Sequence, residues 1–393
     1  MNSKLTSEFV DKLKFFLDRN TKKSYHYLHE PYIPKMSIKK IGNTIEKNYI
    51  SLASSETSQF IKYLKKITNS KYICLVNSGT SALHLSLITL GANKDTEILI
   101  PSFNYVAAAN AVLMSNSSPH FVDIDESLSI NYLMLDSYLK KICKFRNKYC
   151  YNKKNNKRIL ACILLYPYGY LPNTQKIVQV LKKYNILLIE DAAEALGSFL
   201  NSQHAGTFGD IGILSFNGNK IITTGAGGAI LTNKKNIYEK CFKLSNVSKL
   251  RSKFYFIHDQ LGFNYKMPNI NAALGLSQII FFSKILTSKK KLSNNYKIVF
   301  KDFLKKKIFK ILYNRDSNSW LNVIIFSKKY KYLRNPILKL ADKKKIQLRP
   351  AWNPLHTFKY LKKYPRMKMW NSKSLADRVL CLPSSPHFFY EKK

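Results

Sequence analysis

The chain has 393 residues, 45% of them hydrophobic, which is enough to bury a core and excludes a globally disordered protein. Its net charge of +42 raises the question of nucleic acid, but the basic residues fall in short scattered clusters such as Lys289–Lys291 and Lys343–Lys345, with no motif-bearing stripe. The longest nearly apolar run, Ile159 to Leu171, is shorter than the roughly 20 residues that cross a bilayer, so neither a membrane nor a specific nucleic-acid partner is expected.

Asn, Ile, Tyr and Phe are abundant alongside lysine, and all are encoded by AT-rich codons, so compositional drift accounts for both biases together. The amino-terminal stretch MNSKLTSEFVDKLKFF lacks the apolar segment of a secretory signal, and the expectation is a cytoplasmic protein. The six cysteines show neither C-x-x-C nor zinc-ligand spacing. They are expected to be reduced and incidental, and no metal site is expected.

In chain order, residues 1–50 read as a helix and an irregular arm. From about Tyr72, short apolar runs alternate with helical patterns. Ile73–Val76, Glu97–Ile100, His120–Val122, Ile159–Leu165, Ile186–Ile189, Ile211–Ser215 and Ala229–Leu231 are strand candidates. Ser81–Leu90, Tyr105–Met114 and Gln175–Lys183 are helices between them. This alternation predicts an α/β fold with a mainly parallel, seven-stranded sheet covered on both faces. Residues 145–158 read as a polar, basic surface loop. After about Lys284 come a long basic helix, strands at Ile308–Leu312 and Leu321–Phe326, a helix at Pro336–Lys345 and a strand at Val379–Leu382. The expected division is therefore an arm (1–50), a large α/β domain (51–284) and a small α+β domain (285–393).

Three segments carry chemistry. In ILSFNGNKIITTGAGGAI, Lys220 lies just past a buried strand, and strand ends of parallel sheets face the ligand crevice. A lysine there can lose its proton and attack a carbonyl, although a solvated loop lysine is the plainer alternative. In ILLIEDAAEALGS, Asp191 also sits at a strand end. It could hydrogen-bond a protonated pyridine nitrogen, with Ala192 and Ala193 small enough to admit a flat ring, or it could simply cap a following helix. In CLVNSGTSALHL, Gly79 and Thr80 stand at a helix amino end suited to phosphate, or form an ordinary turn and cap.

Together these segments resemble the DegT/DnrJ/EryC/StrS sugar aminotransferase family, a branch of the fold-type I enzymes that use pyridoxal phosphate. The resemblance runs from about His29 to Ser385, through NSGTSALHL, PSFNYVAAANAV, FVDID, IEDAAEALGS, HAGTFGDIGILSFNGNKIITTGAGGAILT, GFNYKMPNINAALG and LRPAWNPLH. It implies that Lys220 is the Schiff-base lysine and moves the proton, that Asp191 holds the ring nitrogen, and that Tyr105 stacks on the ring. Gly79, Thr80 and Ser215 would hold the phosphate, joined by Asn264 from a neighbouring subunit of a homodimer with shared sites. Glu194 and Asn217 would line the substrate side, with Arg349 and His356 toward the sugar nucleotide.

LHEP, SFNGNKIITTG and LPSS look most like the legionaminic- or bacillosamine-type subfamily. That likeness implies amino transfer from glutamate to C4 of a UDP-linked 2-acetamido-2,6-dideoxy-4-keto-hexose. A GDP-linked keto-sugar, or a regulator that keeps the fold, are the other readings. Dehydratases of the family carry histidine at the lysine position, so Lys220 argues against that chemistry.

Some positions depart from the pattern. Tyr166-Pro167-Tyr168-Gly169-Tyr170-Leu171 stands where relatives often read H-x-[FY]-G-x-P. Ala226 replaces a common Glu or Gly, and Ile50-Ser51-Leu52-Ala53-Ser54-Ser55 lacks the glycine often found after the arm.

Overall fold

Side chains of the central strands alternate between two apolar layers, with the period of two that a doubly covered sheet requires. In the first strand Ile73 and Leu75 enter one layer while Cys74 and Val76 enter the other; Leu99 and its neighbours Ile98 and Ile100 divide the same way. This computed structural model describes residues 2–51 and 55–389; Leu52, Ala53 and Ser54 of the glycine-free stretch lie outside the described residues.

In chain order the strands are Tyr72–Val76 (β1), Thr96–Pro101 (β2), Ser118–Val122 (β3), Cys143–Arg146 (β4), Tyr149–Asn152 (β5) and Arg158–Leu165 (β6). Next come Leu187–Asp191 (β7), the short hairpin Phe199–Leu200 (β8) and Gln203–His204 (β9), Ile211–Ser215 (β10) and Gly228–Thr232 (β11). The large sheet runs β1-β11-β10-β7-β6-β2-β3. Pairs β10–β7, β7–β6, β6–β2 and β2–β3 are parallel, while β11 lies antiparallel to both β10 and β1. The carboxyl ends of β1, β2, β6, β7 and β10 therefore share one edge.

The seven strands expected from the sequence all form, with ends shifted by a residue or two as is usual for element boundaries. The helix expected from Tyr105 starts at Ala107, which leaves Tyr105 in the turn before it.

Two expectations are corrected. Residues 143–152, placed mostly in a loop, form the hairpin β4–β5, which joins the sheet through Tyr151 and Arg158 and brings it to nine strands. The buried Glu97 carboxylate anchors its base, accepting from Asn152 at 3.0 Å and Asn155 at 2.5 Å. The cysteines are not all free thiols either: Cys143 and Cys150 form a disulfide, their Cα atoms 5.6 Å apart. Antiparallel pairing of Phe145 with Cys150 and of Cys143 with Asn152 makes the two cysteines diagonal neighbours. That proximity follows from the hairpin and has no spacing motif to announce it.

A second sheet, of Phe309–Leu312 (β12), Asn322–Phe326 (β13), Arg349–Pro350 (β14) and Val379–Leu382 (β15), runs β12-β13-β15-β14 with antiparallel pairs. The amino-terminal helix Asn2–Asn20 packs into the core of this layer through Phe9, Val10, Leu13 and Leu17, against Tyr296, Phe300, Phe309 and Phe326. The expected boundary at residue 284 falls within the helix Phe282–Val299, which runs from the large-sheet core to this one. No single described helix is long and apolar enough to cross a membrane.

Titration of thiols in denaturant without reductant should give four per chain, the buried Cys74, Cys162, Cys241 and Cys381. A count of six would contradict the Cys143–Cys150 pairing.

Candidate active site

The loop that returns the chain from β10 to β11 is braced at several points. Phe216 N–H donates to Gly227 O at 2.8 Å and Thr224 N–H to Phe216 O at 2.9 Å. Gln278 accepts from Thr223 N–H at 3.0 Å and donates to Thr223 O at 2.6 Å. A turn between Asn217 O and the Lys220 N–H, 2.9 Å apart, sends the Lys220 side chain into a cavity of about 350 Å³ at the carboxyl edge of the sheet. Its Nζ lies 3.3 Å from Glu194 Oε1 and 4.2 Å from the centre of the Trp320 ring. The solvated-loop alternative does not survive this placement.

Asp191 ends β7, and its carboxylate lines the same cavity. No helix follows it; it accepts the Ala193 N–H at 3.3 Å, so helix capping is not its role. Burial pushes its pKa up to about 6, the nearby Glu194 pushes the same way, and Lys220 opposes. Burial also raises the pKa of Glu194, against the pull of Lys220 and of the Tyr168 N–H, which donates to Glu194 Oε2 at 2.7 Å. Two buried carboxylates thus share one lysine, an arrangement that a further cation would complete.

The departure at Tyr166–Leu171 has a physical account. The Tyr166 hydroxyl donates to the buried Glu190 carboxylate at 2.5 Å. Tyr168 adopts a left-handed backbone (φ 57°), and this turn aims its N–H at Glu194. Gly169 (φ 93°) must lack a Cβ, which would fall 1.9 Å from Asn318 Oδ1. Asn318 in turn donates to the carbonyls of Glu194 and Leu196.

A candidate anion cradle lies at the start of the helix Gly79–Leu90. Ser78 is its cap, taking the Ser81 N–H at 3.0 Å, so the first-turn N–H groups of Gly79 and Thr80 have no acceptor within the helix. A Cβ on Gly79 would stand 3.0 Å from the Ser215 Cβ and 3.2 Å from its hydroxyl. Two backbone donors and the Thr80 and Ser215 hydroxyls therefore border one end of the cavity. Anion donors at one end, a buried carboxylate and a lysine fit pyridoxal phosphate, which presents a phosphate, a basic ring nitrogen and an aldehyde.

The cavity gathers Gly79, Thr80, Tyr105, Asp191, Ala193, Glu194, Ser215, Asn217 and Lys220. Asn264, Arg349 and His356 do not line it. Asn264 O accepts from the Asn77 side chain at 3.4 Å, Arg349 is an exposed residue of β14, and His356 bonds the Ser102 hydroxyl at 2.6 Å. Sequence reasoning missed Ser78, Asn104, Asn219, Trp320 and Trp352 as lining residues. Asn104 and Asn219 adjoin predicted residues, which was a usable signal. Trp320 and Trp352 come from the small-sheet region; Trp352 stacks on Tyr168 with ring centres 4.8 Å apart.

Residues 31–393 match the model of the DegT/DnrJ/EryC1/StrS aminotransferase family. The chain belongs to this family. As a member it is a pyridoxal-phosphate-dependent sugar-nucleotide aminotransferase. It is 30% identical over 371 residues to GDP-perosamine synthase of Escherichia coli O157:H7, covering 94% of this chain and 95% of that one. It is 27% identical over 344 residues to the UDP-4-amino-4,6-dideoxy-N-acetyl-beta-L-altrosamine transaminase of Campylobacter jejuni subsp. jejuni serotype O:2, covering 86% of each. Among solved structures, Helicobacter pylori PseC, an aminotransferase of pseudoaminic acid biosynthesis, has the same fold. Its TM-score is 0.81 at 23% identity, over 91% of this chain and 93% of that one.

The aminotransferase without cofactor should show the cost of its buried carboxylate. Because Asp191 has a pKa near 6 folded against an ordinary 3.8, the folded chain binds more protons between these values, and stability falls as pH rises through that window. Asp191→Asn removes the penalty, on the order of 3 kcal/mol. The cofactor-free variant should melt above wild type near neutral pH and level with it below the window, while losing cofactor affinity. An equal or lower melting temperature at neutral pH would contradict this.

Proposed function

We propose that this enzyme moves the amino group of glutamate to C4 of a nucleotide-linked 4-keto-6-deoxy sugar, with Lys220 as the catalytic lysine. The observation that carries the reading is one cavity lined by Lys220, Asp191 and the Gly79–Thr80–Ser215 cradle. Bound pyridoxal phosphate supplies an aldehyde that takes up an amino group and a ring that draws electrons from the carbon bearing it.

The chain's own residues do the rest. Gly79 and Thr80 N–H groups and the Ser215 hydroxyl hold the phosphate. Asp191 accepts a hydrogen bond from the protonated ring nitrogen and keeps that proton in place, and Ala193 leaves room for the ring. Tyr105, 59% exposed, is open to lie on the ring face. Lys220 Nζ takes the proton from the α-carbon of glutamate and, in the second half, delivers a proton to C4 of the sugar, which as a ketone carbon carries none. Glu194 holds the lysine between these steps, and Asn217 faces the substrate. A nucleotide diphosphate extends beyond the cavity, and Arg349 and His356 are the contacts proposed for that end.

The active unit is read as a homodimer with shared sites, acting in the cytoplasm. Asn264 stands outside its own chain's cavity, and nearby Phe254, Tyr255, Phe256 and Leu261 are exposed. Apolar side chains left open there support a second copy covering the segment and carrying Asn264 to the neighbouring phosphate.

LHEP, SFNGNKIITTG and LPSS support UDP-2-acetamido-2,6-dideoxy-hexos-4-ulose as the acceptor, for surface-glycan or nonulosonic-acid synthesis such as that of legionaminic acid. The GDP-perosamine synthases at 29% and 30% identity favour a second reading, a GDP-linked 4-keto sugar. Mass spectrometry of products from UDP- and GDP-linked 4-keto-6-deoxy sugars with glutamate separates them. One should gain an amino group with release of 2-oxoglutarate, and Lys220→Ala should fold yet give no product. Turnover by Lys220→Ala, or no amination of any 4-keto sugar nucleotide, would overturn the reading.

A further inference from the structure

Lys289 lies in the middle of the helix Phe282–Val299 and is 0% exposed. It makes no ion pair among the described residues, so its burial needs another explanation. Its Nζ donates to Trp320 O at 2.9 Å and to Ser384 O at 2.5 Å. Burial pulls its pKa well below that of an ordinary lysine. A neutral amine still has two N–H groups for these two carbonyls, so the tether holds in either protonation state.

Two motifs with no place in the cavity meet here. In LPSS, the Ser384 N–H donates to Leu28 O at 2.6 Å and its hydroxyl takes the Asn322 N–H at 2.8 Å. The Ser385 hydroxyl accepts the Glu30 N–H of LHEP at 2.8 Å, and the His29 ring lies 6.2 Å from that of Trp320. The arm, the end of β15 and the segment before β13 thus converge on one amine. Trp320 is held at its other end as well, because its indole N–H donates to Asn219 O at 2.9 Å, beside Lys220.

We propose that Lys289 is a positioning residue for the reaction: by tethering Trp320 O to Ser384 O it fixes the indole 4.2 Å from Lys220 Nζ and confines that lysine to its working position. The proposal rests on the reading of Lys220 as the lysine that holds the cofactor. An aromatic face restrains an ammonium and walls off the side from which water would approach it. The Trp320 backbone is anchored by Lys289 at its carbonyl and by Asn318 Oδ1, which accepts its N–H at 2.8 Å.

The test uses the full chain freed of cofactor and titrated with pyridoxal phosphate, followed by the visible absorbance of lysine-bound cofactor. Lys289→Met keeps the length of the side chain and removes both donors; it should weaken cofactor binding about tenfold and change the tryptophan emission. Trp320→Phe keeps the backbone carbonyl, and with it the lysine's bonds, but loses the indole anchor; it should weaken binding to a similar degree. The double variant should be no worse than the weaker single, since both act through one side chain.

Multiplying effects, or wild-type affinity in Trp320→Phe, would overturn the proposal even if Lys289→Met fails to fold. So would a Lys289→Met protein that melts early yet binds cofactor normally, because that is the behaviour of a merely structural residue. Lys220→Ala is the control. If it keeps the visible band, the assignment of Lys220 itself fails; if only the other two variants behave as wild type, the positioning role alone fails.

Discussion

Lys220 can face Asp191 because the chain turns back on itself between β10 and β11, which pair antiparallel, while β10, β7 and β6 run parallel. A parallel successor to β10 would have needed a crossover of a dozen or more residues passing over a face of the sheet and away from the edge. The reversal instead spends residues 216–227 at the carboxyl edge, where β7 delivers Asp191 and the helix after β1 begins at Gly79. A lysine, a carboxylate and a set of anion donors are brought to one cavity by topology, before any side-chain contact refines them.

Charge then explains why the cavity suits a cationic ring. Asp191 and Glu194 are both buried, and burial raises the pKa of each. One ammonium, Lys220, stands against the pair. An unpaired buried carboxylate is costly, so the folded chain without cofactor stores an unfavourable term that a protonated ring nitrogen would relieve. The Tyr168 N–H, reached through a left-handed turn, offsets part of the cost at Glu194 and fixes which oxygen faces the lysine. The left-handed backbone at Tyr168 is thus linked to Lys220 through the Glu194 carboxylate that both contact.

Most of this was legible because it is local. Strands of the large sheet announced themselves as short apolar runs, and Lys220, Asp191 and Gly79 were recognisable as the residues that follow three of them. What stayed hidden depends on chain segments distant in sequence. Trp320, about a hundred residues beyond Lys220, looks like any core tryptophan until its ring is seen against the amine. Lys289 reads as one of many basic residues on a basic helix, and only its burial shows it bonded to two carbonyls. The Cys143–Cys150 pair depends on a hairpin register inside a stretch whose polarity suggested a loop. Resemblance alone supplied Tyr105, Glu194 and Asn217, which line the cavity, and Asn264, Arg349 and His356, which do not.

If one amine among the many lysines of this chain holds the cofactor, covalent trapping will single it out. The purified protein with pyridoxal phosphate is reduced with borohydride, digested and mapped by mass spectrometry. A single pyridoxyl-phosphate adduct is expected, on the peptide containing Lys220. An adduct on another lysine, with the Lys220 peptide unmodified, would contradict it.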